Sequence, residues 1–106
     1  MEYREKLVEY VEKALNEYLA YNVSTIEMLG QKDHVINMGV SILETKFPEI
    51  GPGYSGGGFV SAVVSNDLME AIGRADSVNV HFLKFYCQLM YNFSPYQIGY
   101  REEASV

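Results

Sequence analysis

Three consecutive glycines, Gly56, Gly57 and Gly58, stand immediately before a segment that begins at Phe59 and is predicted to be helical. Successive backbone N–H groups in such a turn can converge on an anion, and the N-terminal end of the helix dipole strengthens the attraction. No Gly-Lys-Ser/Thr ending follows and no convincing strand precedes, so neither a P-loop nor a dinucleotide-binding fingerprint is present. Glycines also let a chain turn tightly into a helix. Both interpretations, an anion site and a structural turn, remain open.

A second group of polar residues interrupts the apolar C-terminal half of the chain. Asn66 and Asp67 come first, followed by Arg74, Asp76 and Asn79. In a structural interpretation the polar residues cap helices and Arg74 forms an ion pair with an aspartate. In a functional interpretation Arg74 projects beside the glycine loop and holds a phosphate or carboxylate through charge-assisted hydrogen bonds. The sequence does not distinguish the two.

The predicted ligand-binding site joins the glycine loop to this polar group and includes tyrosines that could stack on a flat ring. Its members are Tyr54, Ser55, Gly56, Gly57, Gly58, Asn66, Asp67, Arg74, Asn79 and Tyr91. Tyrosine is common, with nine in 106 residues and no tryptophan. Tyrosine rings suit both stacking and protein interfaces, although half-buried positions on helix flanks would explain most of the nine.

Metal and catalytic chemistry find little support in the residue spacing. His34, His81 and Cys87 are the strongest potential metal ligands, and no Cys-x-x-Cys or His-Glu-x-x-His spacing joins them. Cys87 is predicted to be a small core residue. Neither histidine is predicted to lie beside a nucleophile and an orienting carboxylate. We therefore predict no catalytic residues, no metal and no cofactor.

Charge and hydropathy exclude several classes of partner. The net charge is −6, and no basic patch of the kind that binds duplex DNA or RNA occurs. No run approaches the roughly 18 apolar residues of a membrane span. The alternating charged and apolar residues of 1–13 are unlike a signal peptide, and a single cysteine fits a reducing compartment. We expect a cytoplasmic protein without a membrane or duplex nucleic-acid partner.

The elements that must position these residues are predicted to be helices of one domain. Hydrophobic residues make up 48% of the chain, enough for a packed core. Apolar residues at three- and four-residue spacing predict a first helix over 2–22. Ser24 and Glu27 form a capping-box pattern for a short second helix, which Gly30 would end.

The middle of the chain combines a third helix with an irregular segment. Asp33 is predicted to cap this helix and Pro48 to end it. Its β-branched residues leave a strand over 35–43 as the competing interpretation. Five glycines and two prolines in residues 48–58 exclude regular structure there, so a surface loop is predicted.

A fourth helix is predicted to begin at Phe59, to restart after a cap at Asn66 or Asp67, and to stop at Gly73. The fold class is therefore a mainly α, compact bundle of about five helices with a Gly/Pro-rich loop at 48–58.

The fifth predicted helix has the clearest amphipathic pattern, with a wide apolar stripe. Asp76 or Ser77 would cap it, Ser94 and Pro95 would end it, and residues 96–106 would form a tail. The first and fifth helices each carry an apolar stripe that a chain of this size has few elements to cover. A homo-oligomer, most simply a dimer, is therefore expected.

The stretch from Gly57 to Pro95 resembles a family of small, largely uncharacterised proteins of phage and prophage genomes. The matching residues are Gly57-Gly58-Phe59, Ala62-Val63, Asn66-Asp67-Leu68, Ala71, Arg74-Ala75-Asp76, Asn79, Leu83, Tyr91-Asn92 and Pro95. This resemblance implies a phage-encoded accessory factor of the host cytoplasm. Small phage proteins of this kind bind a host component or sequester a nucleotide signal used in antiviral defence.

Three functions follow from the residues and the resemblance together. The first is a non-enzymatic protein that binds and removes a small nucleotide-like ligand, a defence second messenger among the candidates. The second is an interaction module that docks on a host protein through an acidic, tyrosine-bearing helical face. The third is a minor enzyme of nucleotide metabolism.

Overall fold

The structure, a computed structural model, describes residues 3–21, 30–51 and 57–101. These ranges form six α-helices and two short 3-10 helices, and none of their residues lies in a strand. In chain order the elements are α1 (Arg4–Tyr21), α2 (Lys32–Lys46), a first 3-10 helix (Pro48–Ile50), α3 (Gly58–Val64), α4 (Leu68–Arg74), α5 (Ser77–His81), α6 (Leu83–Asn92) and a second 3-10 helix (Pro95–Ile98). The predicted mainly helical bundle is confirmed. The short helix predicted from Ser24 onward lies outside the described residues.

Helix α1 confirms the first predicted helix and its apolar stripe. Leu7, Val11 and Leu15 are fully buried, and Tyr18 and Leu19 pack partly buried against the same core. The glutamates and lysines of the opposite face are exposed. The stripe contacts α2 and α6, so the 3.6-residue period of the sequence selects the packing face.

Helix α2 lies at the centre of the bundle, in contact with α1, α3 and α6. Its β-branched residues Val35, Val40 and Ile42 are fully buried. A β-branched residue lowers helix propensity by a fraction of a kcal/mol, at most about 0.7. Burying such a side chain contributes about 1.5–3 kcal/mol. Burial therefore decides the conformation, and the strand alternative over 35–43 is wrong.

The two ends of α2 differ in how well the sequence marks them. The helix begins after Gln31, so Asp33 lies in its first turn instead of capping it, and the predicted cap is wrong. A carboxylate in the first turn still favours the helix through the helix dipole. At the other end the helix stops at Lys46, two residues before Pro48, because the residue before a proline disfavours helical backbone.

The beginning of the predicted surface loop packs onto α2. Ile50 in the first 3-10 helix is only 5% exposed. A Cβ atom on Gly51 would stand 2.9 Å from Glu44 Cβ, so a side chain there would collide with α2. Residues 48–51 therefore belong to the folded body, whereas residues 52–56 lie outside the described ranges.

Helices α3 and α4 form an adjoining pair. Helix α3 starts at Gly58, one residue earlier than predicted. Asp67 caps α4 as predicted, its Oδ1 accepting a hydrogen bond from the Glu70 N–H at 3.2 Å. The helix continues through Gly73 to Arg74, so the predicted stop at Gly73 is wrong.

The fifth predicted helix is two helices that meet at Phe82. Asp76 caps α5, its Oδ1 accepting from the Asn79 N–H at 2.7 Å. Phe82 has φ −102° and ψ 15°, which ends α5 and starts α6. Its side chain is buried together with those of Phe85 and Leu89. The apolar stripe thus continues across the break, and periodicity alone gives no signal of it.

The segment after α6 is folded as far as Arg101, whereas a tail was predicted from residue 96 onward. Ser94 opens the second 3-10 helix with a capping box, and Ile98 in that helix is buried. The ring of Tyr100 then lies against that of Tyr3, with centroids 6.0 Å apart. The segment as far as Arg101 therefore closes over the N-terminal end of α1.

The apolar stripes of α1 and α6 face each other and α2 inside one chain. Neither stripe is left uncovered, so the reason for expecting self-association through them does not hold. Three aliphatic side chains that are close together on α4 are instead exposed: Leu68, Met69 and Ile72, at 59%, 85% and 48%. No helix in the described ranges is both long and apolar enough to cross a bilayer.

Candidate functional site

An open cleft of about 370 Å³ lies between α3 and α4. The chain turns between these helices at Asn66, whose φ of 63° is left-handed, a conformation that asparagine adopts more readily than most residues. The residues that line the cleft are Gly58, Ser61, Ala62, Ser65, Asp67, Glu70 and Arg74. Three residues of the predicted site, Gly58, Asp67 and Arg74, therefore lie together.

The Arg74 side chain lies directly over Gly58 in the first turn of α3. A Cβ atom on Gly58 would stand 2.7 Å from Arg74 Cδ, 2.9 Å from Nη1 and 3.1 Å from Nε. With any other residue at position 58, the arginine would have to move. Gly57 has open space around it and extended backbone, with φ −72° and ψ −170°. Position 58 is thus the one that has to be glycine, because the Arg74 side chain packs closely against it.

Arg74 is held in the cleft by Glu70, one turn earlier on α4. The guanidinium Nε donates to Glu70 Oε2, and the two side chains are 58% and 50% exposed. An exposed pair of this spacing contributes only a few tenths of a kcal/mol. The prediction that Arg74 pairs with an aspartate is wrong, since its partner is a glutamate. A stronger acceptor such as a phosphate can replace that partner at small cost.

Two of the remaining polar groups of the cleft already make hydrogen bonds. The Ser65 hydroxyl donates to the Ser61 carbonyl at 2.7 Å. Asp67 uses Oδ1 in the cap of α4. One guanidinium and two carboxylates, those of Asp67 and Glu70, give the cleft a charge of −1. Such a set can bind a ligand that combines an anionic group with hydrogen-bond donors, such as ribose hydroxyls or an exocyclic amine.

The other predicted site residues are not brought into the cleft. Tyr54, Ser55 and Gly56 lie outside the described residues. Asn66 forms the turn and lines a shallow depression of about 30 Å³ that faces α6. Tyr91 is 90% exposed on α6 and is not among the residues that line the cleft.

Asn79 lies in the core, with 4% of its surface exposed. Its Oδ1 accepts a hydrogen bond from the Tyr86 hydroxyl at 2.9 Å. Burial, with a smaller contribution from the negative charge of Asp76, raises the pKa of Tyr86 well above its ordinary value. The phenol therefore stays protonated and remains a donor. This hydrogen bond satisfies the one polar atom of a buried aromatic residue.

The positions of two further side chains, His34 and Cys87, were not evident from the residue spacing in the sequence. His34 on α2 approaches the Asp76 cap of α5, with Nε2 to Oδ2 at 3.6 Å, which is longer than a hydrogen bond. That Nε2 is inaccessible and makes no hydrogen bond. Cys87 is exposed, so its predicted core position is wrong. Within the described part of the chain, no three His, Cys, Asp or Glu residues are placed to hold a metal ion.

The chain matches no protein-family model, no curated protein and no solved structure. The resemblance to the phage family therefore stays a prediction from the sequence.

Proposed function

We propose that the protein binds a small anionic, nucleotide-like ligand in the cleft between α3 and α4 and holds it without converting it. The observation that carries this proposal is the Arg74 side chain lying across Gly58. An exposed, weakly paired guanidinium at an open cleft is available for a bidentate contact with phosphate. The cleft, at about 370 Å³, is within the size range of small-molecule sites.

The acidic residues of the cleft favour a nucleotide over a simple anion. Asp67 and Glu70 would repel inorganic phosphate, since two carboxylates oppose one guanidinium. The same carboxylates accept hydrogen bonds from ribose hydroxyls, a role that acidic residues have in dinucleotide sites. When phosphate takes Arg74, Glu70 is released and becomes free to accept from such a donor. The ligand class proposed is therefore a nucleotide with an unesterified ribose hydroxyl or an exposed base amine.

The cellular role belongs to the same proposal and rests on the sequence resemblance. A phage-encoded protein in the host cytoplasm that holds a nucleotide signal intact would lower its free concentration and so act against antiviral defence. Sequestration of this kind needs binding and no catalytic step. It also requires the protein to be present in amounts comparable to the signal, because each site removes one molecule at most.

Calorimetric and thermal-shift titrations with cyclic dinucleotides, cyclic ADP-ribose isomers and ordinary nucleotides test the proposal. Arg74→Ala should weaken the binding of a positive ligand about ten- to a hundredfold, since it removes a charge-assisted hydrogen bond. Arg101→Ala is the matched control, because Arg101 is exposed and its contacts with the Tyr96 and Tyr100 carbonyls and the Tyr96 ring lie outside the cleft. Equal losses in the two variants would show general charge attraction and remove the cleft from consideration.

Gly58→Ala is a second test variant, which retains the Arg74 side chain and changes only its position. The added methyl group should push Arg74 aside and weaken binding roughly three- to tenfold. Its cost in stability should be small, because Arg74 is an exposed, flexible side chain and alanine favours a helix. Recovery of bound ligand by mass spectrometry then separates sequestration from turnover. Chemically altered ligand would favour the enzyme of nucleotide metabolism.

A second candidate function, a protein-interaction module, is favoured by the outer surface of α1. Glu9, Glu12 and Glu17 are exposed there, and Tyr21 at the end of the helix is 89% exposed. A tyrosine ring exposed beside carboxylates suits an interface with a basic protein. Failure of every nucleotide to bind the wild-type protein would leave this function as the better proposal.

We also propose self-association through α4. Leu68, Met69 and Ile72 expose apolar surface on a helix that carries Glu70 and Arg74 on its other flank. Two copies of α4 packed antiparallel about a twofold axis would bury this apolar face. Glu70 and Arg74 lie about half a helical turn away from it, so they would remain at the cleft of each copy.

A further inference from the structure

A groove of about 530 Å³ runs between α1 and α6 and shares no residue with the cleft. Its aromatic walls are Tyr10, Tyr18 and Tyr21 from α1 and Phe85 from α6. The rings of Tyr18 and Phe85 are 5.3 Å apart between centroids and tilted by 52°. Tyr21 stands almost fully exposed at the end of α1. The accessible aromatic surface of the groove therefore comes from the tyrosines of α1, because Phe85 is buried.

The polar groups of this groove include a carboxylate and two amide oxygens that can accept hydrogen bonds, and its net charge is negative. Glu17 extends into it from α1, and Gln88 and Asn92 line it from α6. Because Gln88 and Asn92 are four residues apart, their side chains lie on one face of the helix. The pKa of Tyr10 is raised first by burial and second by the charge of Glu17, so that charge is felt inside the groove. The phenol stays neutral at physiological pH.

Aromatic faces, one carboxylate and two amide oxygens together fit an organic cation. Aromatic rings attract a cation through the negative charge of their faces. A guanidinium group is planar, stacks on such rings, and offers five N–H donors. The Glu17 carboxylate and the amide oxygens of Gln88 and Asn92 are acceptors for those donors. A lysine ammonium has three donors and cannot stack, so it uses the groove less completely.

The surface around the groove indicates where such a cation would come from. A neighbouring depression on α1 shares Glu17 and Tyr21 with the groove and adds Glu9 and Glu12 against a single Lys13. The whole chain has a charge of −6. A basic protein segment would be attracted to this face over a distance of about 8–10 Å at physiological ionic strength.

We infer that the groove between α1 and α6 is the docking site for an arginine side chain of a basic segment on a partner protein. The inference rests on the second proposed function, the interaction module, and is independent of the nucleotide cleft. Glu17 pairs with the guanidinium, Tyr18 and Tyr21 lie against the stem of the arginine, and the acidic surface of α1 attracts the neighbouring basic residues.

The test is a titration of isotope-labelled protein with a short capped peptide that carries one central arginine, followed by amide chemical shifts. Peptides with citrulline or lysine at the same position isolate the charge and the planar group. Shifts are expected along α1 and α6, with binding in the order arginine, lysine, citrulline. Glu17→Gln should weaken the arginine peptide about three- to tenfold. Tyr21→Ala should weaken it about two- to fivefold.

Glu5→Gln is the control, because Glu5 is exposed in the first turn of α1 and lines neither the groove nor the acidic depression beside it. It should change the affinity less than twofold. Losses as large as that of Glu17→Gln, or a citrulline peptide that binds as well as arginine, would overturn the inference. So would the absence of any shift at millimolar peptide. Running the nucleotide titration on the same sample keeps the two proposals apart, since either can fail while the other holds.

Discussion

Glu44 carries a negative charge into the centre of the bundle, where only 2% of its side chain is exposed. Arg4 at the start of α1 compensates it, with Nη1 at 2.8 Å from one carboxylate oxygen and 3.0 Å from the other. The arginine is half exposed, so it keeps part of its hydration while it neutralises the carboxylate. A buried charge of this kind is tolerated because its partner reaches it from the surface.

Removal of that partner should be costly. Arg4→Met keeps the length of the side chain and leaves the Glu44 carboxylate buried without its ion pair, so we expect the free energy of unfolding to fall by about 1–3 kcal/mol. Urea unfolding followed by circular dichroism measures it. Lys13→Met makes the same charge change at an exposed position of α1 and should cost less than about 0.5 kcal/mol. Equal costs would mean that Glu44 does not depend on Arg4.

Single residues were predictable where their role is local. Asp67 and Asp76 cap helices through N–H groups three residues ahead, and that spacing is visible in the sequence. The approach of Arg74 to Gly58 was one of two open alternatives, because it depends on how α3 and α4 pack. Burial of Asn79 was not visible, since its partner Tyr86 lies beyond a helix break.

Helices α1, α2 and α6 meet at Gly39, the glycine of the central helix. A Cβ atom there would stand 2.8 Å from Leu89 Cδ1 and 2.9 Å from Val11 Cγ1. Both of those side chains are buried in the core. The absence of a side chain at this position therefore sets how closely the three helices approach.

Gly39→Ala should separate these helices. We expect it to lower the free energy of unfolding by about 1–3 kcal/mol, as overpacking of a core does. Gly73→Ala is a matched control in α4, because a Cβ there meets nothing within 4 Å. It should raise the free energy of unfolding by about 0.5–1 kcal/mol through helix propensity. A destabilised Gly73 variant, or a Gly39 variant as stable as the wild type, would contradict this account of the packing.

The sequence predicted which segments are helical better than it predicted where each helix begins and ends. Apolar periodicity located α1 and the stripe of α6, because one face of each is buried. It missed the break between α5 and α6 at Phe82, because the backbone leaves the helical conformation there while the apolar face continues. It also missed the second 3-10 helix after Ser94, since a proline ends an α-helix and leaves the shorter helix allowed.

At the scale of the whole molecule, the two candidate binding surfaces involve different elements. The cleft is built from α3 and α4, whereas the tyrosine-lined groove is built from α1 and α6. Neither surface could be placed from the sequence, because each depends on which helices are neighbours. Central α2 contacts α1, α3 and α6, so it connects the helices of the two surfaces. On the outer face of α4, the side chains of Leu68, Met69 and Ile72 remain exposed in the single chain.

The exposed apolar face of α4 is the surface through which we expect two copies of the protein to associate. Sedimentation velocity at high micromolar concentration should detect a dimer, because Leu68, Met69 and Ile72 together expose apolar surface that pairing would bury. Met69→Glu should shift the protein to monomer, since two carboxylates would then face each other across the twofold axis. Tyr91→Glu introduces the same charge at a residue that is 90% exposed on α6 and should leave the dimer intact. A wild-type protein that remains monomeric under these conditions would exclude α4 as an interface between copies.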